Sequence, residues 1–169
     1  EVLWNTEFLG NRNYLLWFGL FITFAIKVPM FPFHIWLPEA HVEAPTEGSV
    51  LLAGLLLKLG TYGFLRFLFP LFPELNFYFS PFVITLASIG IIYTSFSTLR
   101  QIDIKRVIAY SSIAHMNMCM VGLFSYNEIA FIGSIFLMIA HGVVSGGLFY
   151  IIGIIYNRFR TKIIYYFST

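Results

Sequence analysis

One stretch narrows the possible folds more than any other. From Phe21 to Arg66 the chain reads FITFAIKVPMFPFHIWLPEAHVEAPTEGSVLLAGLLLKLGTYGFLR, two apolar segments around a polar corner, each with a lysine near its middle, Lys27 and Lys58. An α-helix needs about 20 mostly apolar residues to cross a bilayer, and both segments approach that length. A charge at the centre of such a helix costs about 2.5–3.5 kcal/mol on insertion scales, so the two lysines are expected to face protein or water and to mark a functional site.

The remainder of the chain fits the same solvent. Charged residues make up 11% of the 169 and apolar ones 59%, with a mean hydropathy of +0.81. A water-soluble domain carries about 25% charged residues, so this chain cannot coat a wet surface and is expected to be an all-α integral membrane protein. No basic run with interleaved aromatics is present, which argues against nucleic acid as a partner. The single cysteine, Cys119, lies in an apolar segment; it excludes an internal disulfide framework and reads as an inert core thiol. The chain opens on Glu1 with no signal-peptide pattern and closes on KIIYYFST, which reads as a piece of a longer subunit or the product of a split gene.

Five spanning helices are expected. The first covers 14–33, entered through Asn11, Arg12 and Asn13, and contains Pro29 and Pro32 just after Lys27. Proline removes a backbone donor and clashes with the preceding turn, so a break is predicted between Lys27 and Pro32. Broken helices at membrane depth occur where backbone lines a cavity or is buried in protein. A polar corner follows, 34–47. Its His34, Glu39, His41, Glu43 and Glu47 lack the helical i, i+4 histidine pair of a metal motif, and carboxylates in a membrane-flanking loop are usually solvated, so no metal is expected there. Pro45 then opens the second helix, with Thr46 as its cap, and Pro70 and Pro73 close it; Gly54, Gly60 and Gly63 give it a small-residue side suited to close packing. The third helix is expected at 81–99, the fourth at 104–124 with Tyr110, Ser111, Ser112, His115 and Asn117 inside it, and the fifth at 129–156 with His141 near its centre. By alternation, one side carries Arg100, Lys105, Arg106, Arg158, Arg160 and Lys162 and the other only Arg12 and Arg66. That bias places the 34–47 corner, the 100–106 loop and the C-terminal tail on the cytoplasmic or matrix side.

Lys27, Lys58, His115 and His141 each lie 11–13 residues into their helices. At 1.5 Å per residue this is roughly 17–20 Å from a helix start, close to the mid-depth of a 30 Å core. Four titratable groups at one level describe a lateral row rather than a pore straight across. In a low-dielectric setting a lysine holds its proton less tightly, and bringing its pKa from about 10.4 to near 7 takes a few kcal/mol, the same order as the insertion cost. Histidine titrates near neutrality unaided. The competing readings are a structural ion pair for each lysine and an inter-helix hydrogen bond for each histidine. No carboxylate lies inside the five spans, so any acidic partner must come from outside them.

Three segments, KVPMFPFHIWLPEAHVEAPTEGSVLLAGLLLKLGTYGFLRF, TLRQIDIKRVIAYSSIAHMN and LMIAHGVVSGGLFY, together resemble the chain 4 family of NADH–ubiquinone oxidoreductase, the mitochondrial respiratory complex I, within a wider group of antiporter-like subunits. The resemblance implies a fold of five-helix inverted repeats, with 1–169 a single but incomplete transmembrane unit: 14–70 closing one repeat and 81–157 opening the next. It implies that Lys58 is the central carrier of a lateral proton axis. Lys27 is the broken-helix lysine that pairs with a glutamate of an earlier helix, and His115 and His141 link the two halves. That glutamate and the acidic residue of a later broken helix are not in this chain, and Glu47 stands where the family more often has a small residue. The resemblance further implies a mitochondrial inner-membrane location, other membrane-arm subunits and lipids as partners, and electron transfer elsewhere, with NADH, FMN, iron–sulfur clusters and ubiquinone bound by other subunits. This chain itself carries no Gly-rich nucleotide motif or cysteine cluster, so no cofactor is expected within it. Two alternatives stand beside proton pumping in complex I: a subunit of a stand-alone cation/proton antiporter, and a structural remnant that moves no protons.

Overall fold

A computed structural model describes residues 11–167. Glu1 and Thr169, on which the reading of the chain as a piece rests, lie outside them. The described residues are helical almost throughout. Helix α1 is Asn11–Lys27, α2 is the short Trp36–Glu43, α3 is Thr46–Leu71, α4 is Pro73–Leu99, α5 is Ile104–Phe124 and α6 is Glu128–Phe159. A single 3-10 turn, Ile164–Phe167, follows. Helices α3 to α6 are long and apolar enough to cross a membrane, whereas α1 has 17 residues and falls short of that length alone.

The predicted break is present, and it is wider than expected. Helix α1 stops at Lys27, the chain turns through 28–35, and α2 then occupies most of what was expected to be a polar loop. Pro38 is compatible with α2 because it sits in the first turn, where backbone N–H groups have no helical acceptor. Two other boundaries also moved. Helix α4 begins at Pro73 rather than at 81 and carries Pro81 inside it. Pro73 occupies the first helical position, and Asn76 holds this end in place: its amide donates to the Leu68 carbonyl at 2.9 Å and its oxygen accepts from the Trp17 indole at 2.6 Å. Thr46 is the first residue of α3 and makes no side-chain cap; Pro45 occupies the cap position.

Between lipid-bathed helices the hydrophobic effect is weak, and close packing and hydrogen bonds hold them together. Both devices appear here. The Gly54, Gly60 and Gly63 side of α3 divides between two neighbours. Gly60 faces Val28 and Lys27, Gly63 faces the Phe24 ring, and Gly54 faces Gly142 of α6. An aromatic stack of Trp17, Phe21 and Phe79, with Phe64 and Phe124 buried beside it, fills the space between α1, α3, α4 and α5. Ser80 of α4 donates to the Phe124 carbonyl at 2.6 Å.

Helix α3 is not a uniform α-helix. Two stretches, Leu52–Leu56 and Phe64–Leu68, wind as π-helical turns. Such turns are rare and concentrate at functional sites.

At the basic end the corner, the 100–106 loop and the tail meet, as the charge bias requires. Lys105 donates to the Ala44 carbonyl at 3.0 Å and Lys162 to the Val42 carbonyl at 3.1 Å, so two ammonium groups satisfy carbonyls at the C-terminal end of α2. Arg106 pairs with Glu39 at 3.4 Å, and Ile104 and Ile164 exchange backbone bonds with Lys162 and Ile102.

Candidate functional site

The site is built where α3 crosses α6. Lys58 lies just after the first π-turn, and its side chain reaches α6. Its amine donates to the Ala53 carbonyl at 2.5 Å and meets Nδ1 of His141 at 2.8 Å. Lys58 is half-buried and His141 is buried. Ser145, one turn further along α6, donates to the His141 carbonyl at 2.6 Å and reaches the same Ala53 oxygen at 3.5 Å. The Ala53 carbonyl therefore serves two side chains from within a turn whose widened winding presents it sideways.

An ammonium has donors only, so Nδ1 of His141 must accept from charged Lys58, and the ring proton then sits on Nε2. That nitrogen is buried and has no hydrogen-bond partner among the described residues. An orphaned buried donor costs about 1–3 kcal/mol. His115 of α5 has its ring centre 6.0 Å from that of His141. His115 is exposed on the outer side of α5.

Three of the four expected residues are thus adjoining: Lys58, His141 and His115. Lys27 is apart from them. It ends α1 as an exposed side chain beside a shallow groove lined by Trp36, Leu52, Leu56 and Leu59, with no hydrogen bond or ion pair among the described residues.

In the corner, His34 and His41 are buried. His41 lies flat on Phe149, with centres 4.2 Å apart and planes 7° off parallel, and neither of its ring nitrogens has a partner among the described residues. His34 packs against Phe31 and Tyr93. No group of three or more His, Cys, Asp and Glu side chains converges among the described residues. Cys119 is fully buried and free.

Sequence reasoning passed over Ser145, the Ala53 carbonyl and the π-turn that exposes it. A serine one turn from His141 was visible in AHGVVSGG, but the backbone acceptor has no sequence signature.

Comparison with known proteins bears on what such a site does. A family described as "NADH:quinone oxidoreductase/Mrp antiporter, TM" matches residues 3–169. The NADH-ubiquinone oxidoreductase chain 4 of Triticum aestivum is 59% identical over 168 residues, which is 99% of this chain and 34% of the relative. This chain therefore spans about a third of the relative's length. Among solved structures, respiratory complex I from Thermus thermophilus with bound NADH contains a chain that superposes with a TM-score of 0.88 at 32% identity, covering 95% of this chain and 34% of that one. The Mrp complex from a Dietzia species matches with a TM-score of 0.77 at 25% identity, over 93% of this chain and 17% of that one.

Proposed function

Because this chain belongs to the transmembrane family shared by NADH:quinone oxidoreductase and Mrp antiporter subunits, we propose that it is part of the membrane arm of a proton-translocating NADH:ubiquinone oxidoreductase. In this reading it sits in the mitochondrial inner membrane and moves protons along a lateral Lys/His row. NADH, flavin, iron–sulfur clusters and ubiquinone are bound by other subunits. Helices α1 to α3 close one antiporter-like repeat and α4 to α6 open the next, and neighbouring membrane-arm chains and lipids enclose them.

The observation that carries the reading is the 2.8 Å contact between Lys58 and Nδ1 of His141. A proton leaves Lys58 by breaking one Nζ–H bond and forming one at Nδ1. The resulting imidazolium releases its Nε2 proton on the far side, toward His115. Each transfer restores a neutral group behind it, so the charge advances while the heavy atoms barely move. The Ala53 carbonyl stabilises the charged form of Lys58, and Ser145 holds that carbonyl and the His141 backbone in register. Lys27 acts as a charge-pair switch whose partner carboxylate is supplied from outside the described residues. A stand-alone antiporter is the weaker alternative, because identity to the respiratory chain 4 is 59% against 25% to the Mrp chain.

Replacement of Lys58 by alanine in the assembled complex tests this. The expected outcome is loss of proton uptake into reconstituted vesicles while NADH still reduces quinone when the membrane is uncoupled. An unchanged proton-to-electron ratio would exclude Lys58 as a carrier.

A further inference from the structure

We propose that Gly142 is a positioning residue for Lys58: its missing side chain leaves the space in which the Lys58 amine turns onto His141 and the Ala53 carbonyl. This rests on the relay described above and adds a residue to it.

Glycine is a poor helix former, and Gly142 lies in the interior of α6. The crossing explains its presence. A Cβ placed at 142 would stand 3.2 Å from the Gly54 carbonyl oxygen, 3.3 Å from Cε of Lys58 and 3.8 Å from its Nζ. The Gly54 oxygen is part of the α3 backbone and moves only with the helix. Cε is the end of a flexible side chain and is the atom that gives way. A shift of a few tenths of an ångström at Cε alters the reach of Nζ to two acceptors at once, the Ala53 carbonyl at 2.5 Å and His141 at 2.8 Å.

The other glycines near this crossing are not equivalent. A Cβ at Gly54 meets only the Gly142 carbonyl, at 3.7 Å, an ordinary contact. Gly147 on the same helix has nothing within 4 Å. Gly153 is tight, but what a Cβ there would overlap is Thr46. The crossing thus supplies a variant that disturbs Lys58, one that disturbs packing alone and two that disturb neither.

The experiment compares Gly142→Ala, Gly54→Ala, Gly147→Ala and Gly153→Ala in the assembled complex, reading complex yield, proton uptake per complex and the pH profile of uptake. Gly142→Ala is expected to slow uptake per complex about tenfold, the value of one charge-assisted hydrogen bond, and to displace the pH profile. Gly153→Ala is expected to lower yield while leaving the profile in place, and the other two are expected to match the parent. A parental rate and profile in Gly142→Ala overturn the proposal. If Gly142→Ala does not assemble, the double variant Gly142→Ala/Lys58→Ala decides. Removing Cε relieves that contact but leaves the one with the Gly54 oxygen, so regained assembly supports the proposal and continued failure overturns it. Normal uptake in Lys58→Ala alone would instead remove the relay on which this rests.

Discussion

Two lysines, Lys27 and Lys58, each adjoin a departure from regular α-helix. Lys27 ends a helix that then breaks; Lys58 follows a helix that only widens. A π-turn keeps the backbone bonded to itself, and Lys58 just after it is held by groups that the chain itself supplies: a carbonyl and an imidazole. A full break leaves the side chain at the edge of the element, and Lys27 is exposed and without a partner among the described residues. An exposed ammonium at the middle of a bilayer is costly. The difference teaches that the two sites close differently. Lys58 finds its partners on α3 and α6 of this chain, whereas Lys27 finds none among the described residues.

The largest stability effect is expected on the open side. If an acidic partner covers Lys27 in the assembled membrane, Lys27→Ala leaves that carboxylate buried and unpaired, which costs about 3–5 kcal/mol. Thermal unfolding of the assembled complex measures it, and a silent Lys27→Ala would mean that the amine snorkels to the interface and has no partner. A smaller effect sharpens the same contrast. A Cβ at Gly60 would meet Cγ2 of Val28 at 2.7 Å and Cβ of Lys27 at 2.9 Å. Gly60→Ala therefore pushes the end of α1 off α3, with an expected loss of about 1–3 kcal/mol from overpacking. The reading is the melting temperature of the complex. An unchanged value would show that the α1 terminus yields freely and that the break after Lys27 is loose in the native assembly.

The sequence disclosed where the apolar helices lie, because apolar length is a property of composition along the chain, although four of the five expected spans are long enough to cross a membrane. Helix α5 falls at Ile104–Phe124, where the apolar run lies, and α6 brings His141 to the level of Lys58. The small-residue side of α3 was visible as Gly54, Gly60 and Gly63, although not that it serves two partners. What stayed hidden depends on tertiary contact. Neither π-turn contains a proline or any other local marker; one lies at the Gly54/Gly142 crossing and the other beside α1. The polar corner read as a loop whose glutamates are solvated. It folds instead as α2, since Phe149 covers one face of His41 and Lys105 and Lys162 satisfy its terminal carbonyls. Helix α4 extends back to Pro73, where Asn76 is held by the Leu68 carbonyl and by Trp17, 59 residues away in sequence.

The most direct test of the relay is His141→Gln, assayed as protons taken up per NADH oxidised by the reconstituted complex. Glutamine keeps an oxygen that accepts from Lys58, so the crossing and its hydrogen bond stand, but an amide does not take up a proton on one side and release another opposite. The account predicts an assembled complex whose proton uptake through this chain is lost. A parental ratio of protons to NADH in His141→Gln would contradict passage of the proton from Lys58 through His141.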